Sequence, residues 1–121
     1  MKVILINPPS LGKTKSFFLT QPLGLASIAA SVRKEGHEVV IIDSPALGFE
    51  KSNVIDILGE NLFRHGLDYH EIADLIPRDA DLVGITAPFT HCSHIIRPLI
   101  KAIRERHGDI KIVLGGVYPS T

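Results

Sequence analysis

The sequence has no tryptophan, one cysteine and one methionine, and only 6% of its 121 residues are aromatic. A single cysteine cannot close an intrachain disulfide, and it cannot hold an iron–sulfur cluster, which takes several thiolates. A surplus of charge is missing too, since 13 Lys and Arg stand against 13 Asp and Glu. Binding to nucleic acid or to an anionic membrane draws on a basic surplus, so neither partner is expected. Long apolar runs are also lacking. The run Val3 to Ile6 stops at Asn7-Pro8-Pro9; it is too short for the apolar core of a signal peptide, and no window approaches the roughly 18 residues of a membrane helix. These absences predict a soluble, cytoplasmic chain.

What is present suffices for a core. The hydrophobic fraction is 45%, and a chain of this size buries roughly two-thirds of its unfolded surface, so it folds without a disulfide or metal staple. Four apolar runs rich in β-branched residues stand out: Val3–Ile6, Val39–Ile42, Leu82–Ile85 and Ile110–Leu114. Their nearly continuous hydrophobicity is that of buried parallel strands. Leu25, Ile28, Ala29 and Val32 fall at i, i+3, i+4, i+7 ahead of Gly36, which predicts an amphipathic helix with a glycine stop. Ile96, Leu99, Ile100 and Ile103 repeat that spacing, and this second helix begins near Ser93 and ends before Gly108. Between residues 52 and 77, Ile55, Leu58 and Leu62 predict one helix and Ile72 and Leu75 another after Gly66. The segment from Pro45 to Asn53 reads as the most mobile loop.

Alternating strands and helices with right-handed crossovers give an α/β fold: a flavodoxin-like (Rossmann-like) open parallel sheet, order 2-1-3-4, with helices on both faces. In such sheets ligands sit beyond the carboxyl ends of the strands, at the switch point between the first and third. Asn7-Pro8-Pro9, Thr86-Ala87-Pro88 and Gly115-Gly116 fall there.

Residues 7 to 14, Asn-Pro-Pro-Ser-Leu-Gly-Lys-Thr, differ from the phosphate-cradling G-x-x-x-x-G-K-[ST] loop only at the first position. That loop works through consecutive backbone N–H groups and leads straight into a helix, whereas Pro8 and Pro9 have no N–H and the helical period starts near Leu23. No G-x-G-x-x-G follows the first strand, and the positions at which two-component receiver domains carry acidic residues hold Asn7 and Thr86. Asp43 closes the second strand, as a helix cap or loop acceptor or, in another setting, a ribose ligand. His91, Cys92 and His94 cluster at the start of the last helix. Helical geometry does not converge all three on one ion. They read as polar rim residues, or as a thiol with His91 as its base but without a third, orienting group. Gly115-Gly116, lacking Cβ atoms, beside the Thr86 hydroxyl suits a large planar group better than a phosphate.

Val3-Ile-Leu-Ile-Asn-Pro-Pro9, Pro22-Leu-Gly-Leu-Ala26 running to Gly36-His-Glu-Val-Val-Ile-Ile-Asp43, Ala80-Asp-Leu-Val-Gly-Ile-Thr86 and Ile112-Val-Leu-Gly-Gly116 together span nearly the whole chain. In this order and spacing they resemble the N-terminal cobalamin-binding domain of cobalamin-dependent radical S-adenosylmethionine proteins. The resemblance implies one cobalamin-binding domain over residues 1–121, holding the corrin at the carboxyl edge of the sheet with its nucleotide tail between the sheet and the first helix. The cofactor-binding residues it implies are Asn7, Pro8, Pro9, Leu23, Gly24, Thr86, Ala87, Pro88, Gly115, Gly116 and Tyr118, with Ala26, Ala29 and Ala30 either leaving room for the tail or packing on the sheet. No catalytic residue and no protein metal ligand is implied. The mutase-type D-x-H-x-x-G motif would follow the first strand; this loop has no histidine, so the cobalamin would be base-off without a protein imidazole. Val117-Tyr118-Pro119 stands where the family commonly has Pro-His.

The same resemblance implies a longer enzyme whose downstream radical domain carries the three-cysteine motif, a [4Fe-4S] cluster and S-adenosylmethionine, with methyl transfer as its chemistry. The parallel sheet would lack a fifth strand, and its fourth-strand edge would be open to pairing with a second copy. The alternative is a flavodoxin-like signalling or protein-interaction module without a cofactor.

Overall fold

The computed structural model describes residues 1–12, 23–48, 52–57, 59–86 and 93–115. In chain order the elements are β1 (Lys2–Asn7), β2 (Ser10–Gly12), α1 (Leu23–Lys34), β3 (Glu38–Asp43), α2 (Ser44–Leu47), β4 (Ser52–Ile57), β5 (Glu60–His65), α3 (Tyr69–Leu75), β6 (Leu82–Thr86), α4 (Ser93–His107) and β7 (Lys111–Gly115).

The four apolar runs form one parallel sheet, ordered β3-β1-β6-β7. Counted among themselves these strands run 2-1-3-4, as the sequence predicts. Alternation along each strand sends its apolar side chains to two faces. Ile4, Ile6, Ile42, Val83 and Ile85 meet Ile72, Ala73 and Ile76 around α3 and Ile96, Leu99, Ala102 and Ile103 of α4 in the larger core. Val3, Leu5 and Val39 meet Leu25 and Ala29 of α1 on the opposite face in a smaller one. Arg104 donates to the Gly108 and Ile110 carbonyls, and Gly108 takes φ 64°, so α4 stops where the glycine predicts. No helix among the described residues is long and apolar enough to cross a membrane.

The crossover between β3 and β6 departs from expectation. Instead of a helix around Ile55 and Leu62, β4 and β5 form an antiparallel hairpin, and β2 adds to it in the order β2-β5-β4. Ile55 and Leu62 are direct cross-strand partners. Residues seven apart meet on one face of a helix and also face each other across a two-residue hairpin turn, so the spacing served either structure. Val54, Ile55 and Ile57 favour the strand, and Gly59, at φ 82°, supplies the turn. Ser10 to Gly12, expected as loop, is the third strand of this small sheet. The expected loop from Pro45 to Asn53 is likewise corrected at its ends: Ser44–Leu47 is a helical turn led by proline, and Ser52 and Asn53 open β4.

The hairpin is fastened on both sides. Arg64, buried, stacks its guanidinium 4.6 Å from the Tyr69 ring centroid and lies 3.6 Å from the Asp68 carboxylate. Asp68 opens α3 with a capping box, its side chain accepting from the α3 backbone while Glu71 accepts from the Asp68 N–H.

Candidate functional site

Strand register lays three rows of side chains across the face that α1 occupies. The first is Val39, Val3, Leu82, Lys111 and the second Ile41, Leu5, Gly84, Val113. The third, at the carboxyl edge, is Asp43, Asn7, Thr86, Gly115; Asn7 and Thr86 each stand one residue past the Ile6–Ile85 pair.

Helix α1 packs on β3 and β1, so among the described elements the β6–β7 half of this face has no helix over it. Its floor is low. Gly84 and Gly115 carry no side chain, Thr86 is short, and Val113 stands 55% exposed. A β-carbon on Gly84 would fall 2.9 Å from Leu5 Cδ2, so the glycine lets Leu5 lean across the sheet, whereas one on Gly115 would meet nothing within 4 Å.

The crossover runs α1 antiparallel to β1, which puts Leu23 and Gly24 at the carboxyl edge. With Leu25 and Ala29 on the sheet, the right-handed helical turn carries Gly24 and Ile28 to the shoulder toward β6 and Ala26 and Ala30 to the other. Ile28, predicted for the core, is 53% exposed for that reason. Ala29 is core packing, and Ala26 and Ala30 are exposed on the far shoulder.

Pro8 and Pro9 are buried where the chain leaves β1 for β2. Asn7, half-buried, donates from Nδ2 to Asp43 Oδ1 at 3.0 Å. Asp43 holds the N-cap position of α2, yet its side chain makes no cap hydrogen bond; its carboxylate serves Asn7 instead. His94 is exposed in the first turn of α4. Ala87, Pro88, His91, Cys92, Gly116 and Tyr118 lie outside the described residues. Among the described residues no three His, Cys, Asp or Glu side chains converge on one point.

The structure thus brings Asn7, Gly24, Thr86 and Gly115 to one edge of one face. Sequence reasoning missed Gly84, whose signal was a glycine inside a strand, and the exposure of Ile28. A cavity of about 550 Å³ lies instead at the amino edge, lined by Arg78, Asp81, Arg106, His107, Asp109 and Lys111. Its charged wall, at the end away from the switch point, suits surface solvation rather than a flat apolar ligand.

Fold and edge together define a flavodoxin-like module that sets Asn7, Thr86 and Gly115 in one row at the carboxyl end of its sheet. The sequence model of the B12 binding domain family matches residues 10–121, and the chain belongs to that family. It is 35% identical over 120 residues to cytidylyl-2-hydroxyethylphosphonate methyltransferase of Streptomyces wedmorensis, covering 97% of this chain and 22% of that protein. It is 42% identical over 43 residues to hopanoid C-3 methylase of Methylococcus capsulatus, covering 36% of this chain and 8% of that protein. The chain therefore spans about a fifth or less of these relatives. No solved structure matches it.

Proposed function

We propose that this chain is the cobalamin-holding portion of a longer, cytoplasmic, cobalamin-dependent radical S-adenosylmethionine methyltransferase. The observation that carries the reading is the β6–β7 edge, over which no described helix packs, where Thr86 and Gly115 offer one hydroxyl and flat backbone on the Gly24 side of α1. These residues fit a planar heterocyclic tail: the missing β-carbon of Gly115 leaves room for it, and the Thr86 hydroxyl can donate to a ring nitrogen or accept from a sugar hydroxyl. Asn7, Pro8 and Pro9 border the corrin from β1, and Leu23 and Gly24 from α1. Ala87, Pro88, Gly116 and Tyr118 complete the set by their places in the sequence.

When bound, cobalamin supplies a cobalt centre able to carry a one-carbon group. The residues of this chain hold and orient the corrin and exclude water, and none is assigned acid–base work. The loop from Asn7 to Gly12 contains no histidine, which supports a base-off cofactor without a protein imidazole. A downstream domain with a [4Fe-4S] cluster and S-adenosylmethionine is supported by the methyltransferase names of two much longer relatives. Among the described strands β7 lies at the edge of the parallel sheet, a place suited to pairing with a second copy.

Mixing the purified chain with hydroxocobalamin, removing free corrin by gel filtration and recording the visible spectrum tests the reading. Bound corrin with a base-off spectrum is expected. A folded chain that retains no corrin overturns the cofactor assignment, and a histidine-ligated spectrum overturns the axial one. A three-cysteine motif in the reading frame beyond Thr121 is the outcome expected for the parent enzyme.

A further inference from the structure

The Asn7–Asp43 hydrogen bond determines what this edge offers a ligand. A carboxylate only accepts, so the end of the Asn7 amide that faces Asp43 has to be its NH2, and the carbonyl Oδ1 is turned away. Asp43 stands at the N-cap of α2, where an aspartate usually bonds the first free N–H groups. Here it does not, and Pro45 in the first turn removes one N–H such a cap would use. The carboxylate accepts from Asn7, one strand away and in direct register with it. Both side chains point to the α1 face, in the row that continues through Thr86 to Gly115.

We propose that Asp43 is a positioning residue: it locks the Asn7 carboxamide so that Oδ1 is presented as an acceptor to an N–H or O–H donor of the corrinoid. The inference rests on the cobalamin reading above and adds to it a residue that does not itself touch the ligand. Without the carboxylate the amide can rotate by half a turn and present NH2, two donors facing a donor. The primary amides on the corrin rim and the ribose hydroxyl of the nucleotide tail share the required donor chemistry.

The test compares hydroxocobalamin affinity, read from the absorbance change on titration, across wild type, Asn7→Ala, Asp43→Ala, the double alanine variant, and the exchange of Asn7→Asp with Asp43→Asn. Each single alanine is expected to weaken binding by about tenfold, the scale of one well-placed hydrogen bond to a charged or fixed partner. The double variant should be no weaker than Asn7→Ala alone, because an orienting residue has nothing left to orient. The exchange should restore most of the affinity: the amide at position 43 donates to the carboxylate at position 7, whose second oxygen still faces outward as an acceptor. The exchange would also mend a purely structural contact, so the positioning role is read from a loss of affinity in Asp43→Ala at a temperature where its melt shows the variant fully folded.

Cobinamide, which keeps the corrin amides and lacks the nucleotide, identifies the donor. An equal loss with both ligands assigns it to the rim, and a loss confined to cobalamin assigns it to the tail; either outcome supports the acceptor role. Additive losses in the double variant, or an Asp43→Ala protein that binds like wild type, overturn the positioning role while leaving the cofactor reading intact. A folded wild type that binds no corrin overturns both.

Discussion

Gly48 and Gly66 touch backbone to backbone: a β-carbon on Gly48 would lie 2.6 Å from both the Gly66 carbonyl carbon and the Leu67 nitrogen. Ser44, fully buried at the start of α2, closes the same joint by accepting from the Leu67 N–H on its Oγ at 2.9 Å and on its carbonyl at 3.3 Å. The end of the hairpin is thereby fixed to the end of β3.

Gly48→Ala is expected to lower stability by about 1–3 kcal/mol, because the clash is with backbone that cannot swing aside. Gly66→Ala should act in the same direction, with its φ of 129° adding strain for any L side chain. Urea unfolding of each variant checks both, and a midpoint equal to wild type would show the joint to be loose.

Removing the α3 cap has a predictable cost. Asp68→Ala deletes one half of the capping box and the carboxylate nearest Arg64, so stability should fall by about 1 kcal/mol or more. Asp68→Asn, which keeps a capping oxygen, should recover most of it in the same thermal melts.

Alkaline pH should loosen the amino edge. The Lys2 ammonium donates to Glu38 at 3.0 Å and to Asp79 at 3.2 Å, and the Glu38 hydrogen bond, ahead of the Asp79 one, raises its pKa above the usual 10.5. A folded pKa above the unfolded one means that this contribution is fully present below the ordinary lysine value and is lost as pH rises through the higher folded value. Wild type should therefore lose melting temperature above about pH 10 more steeply than Lys2→Met. Both carboxylates are well exposed, so the difference should shrink in salt; parallel pH slopes for the two proteins would refute the assignment.

The β6–β7 floor can be filled without disturbing the fold. Because a β-carbon at Gly115 meets nothing within 4 Å, Gly115→Leu should melt like wild type and yet weaken hydroxocobalamin binding by about tenfold or more, roughly 1.4 kcal/mol. Unchanged affinity would remove the β6–β7 floor from the site.

The four parallel strands were legible because each reads as an unbroken apolar run, even though β7 leaves Val113 exposed on the α1 face. Helix α4 was legible from Ile96, Leu99 and Ile103. The hairpin was not, since Ile55 and Leu62 satisfy helical spacing and hairpin pairing equally, and only Gly59 separates them. At the carboxyl edge, Thr86 and Gly115 could be placed from strand ends alone, and Gly24 from the family resemblance. The bond from Asn7 to Asp43 could not, because it depends on the register of two strands that a helix keeps apart in sequence. The exposure of Ile28 depends on where α1 sits across the sheet, which helical periodicity does not encode.

The central place of β1 also bears on how the protein assembles. Val3 pairs with Val39 on one side and with Leu82 on the other. The first pairing can form once α1 and β3 have left the ribosome, while the second waits for most of the described chain. Closing so long a loop is entropically costly and slow. Until it closes, β1 carries a bare strand edge that is open to wrong partners. The row joining Asn7 to Thr86 and Gly115 is therefore among the last parts of the described fold to form.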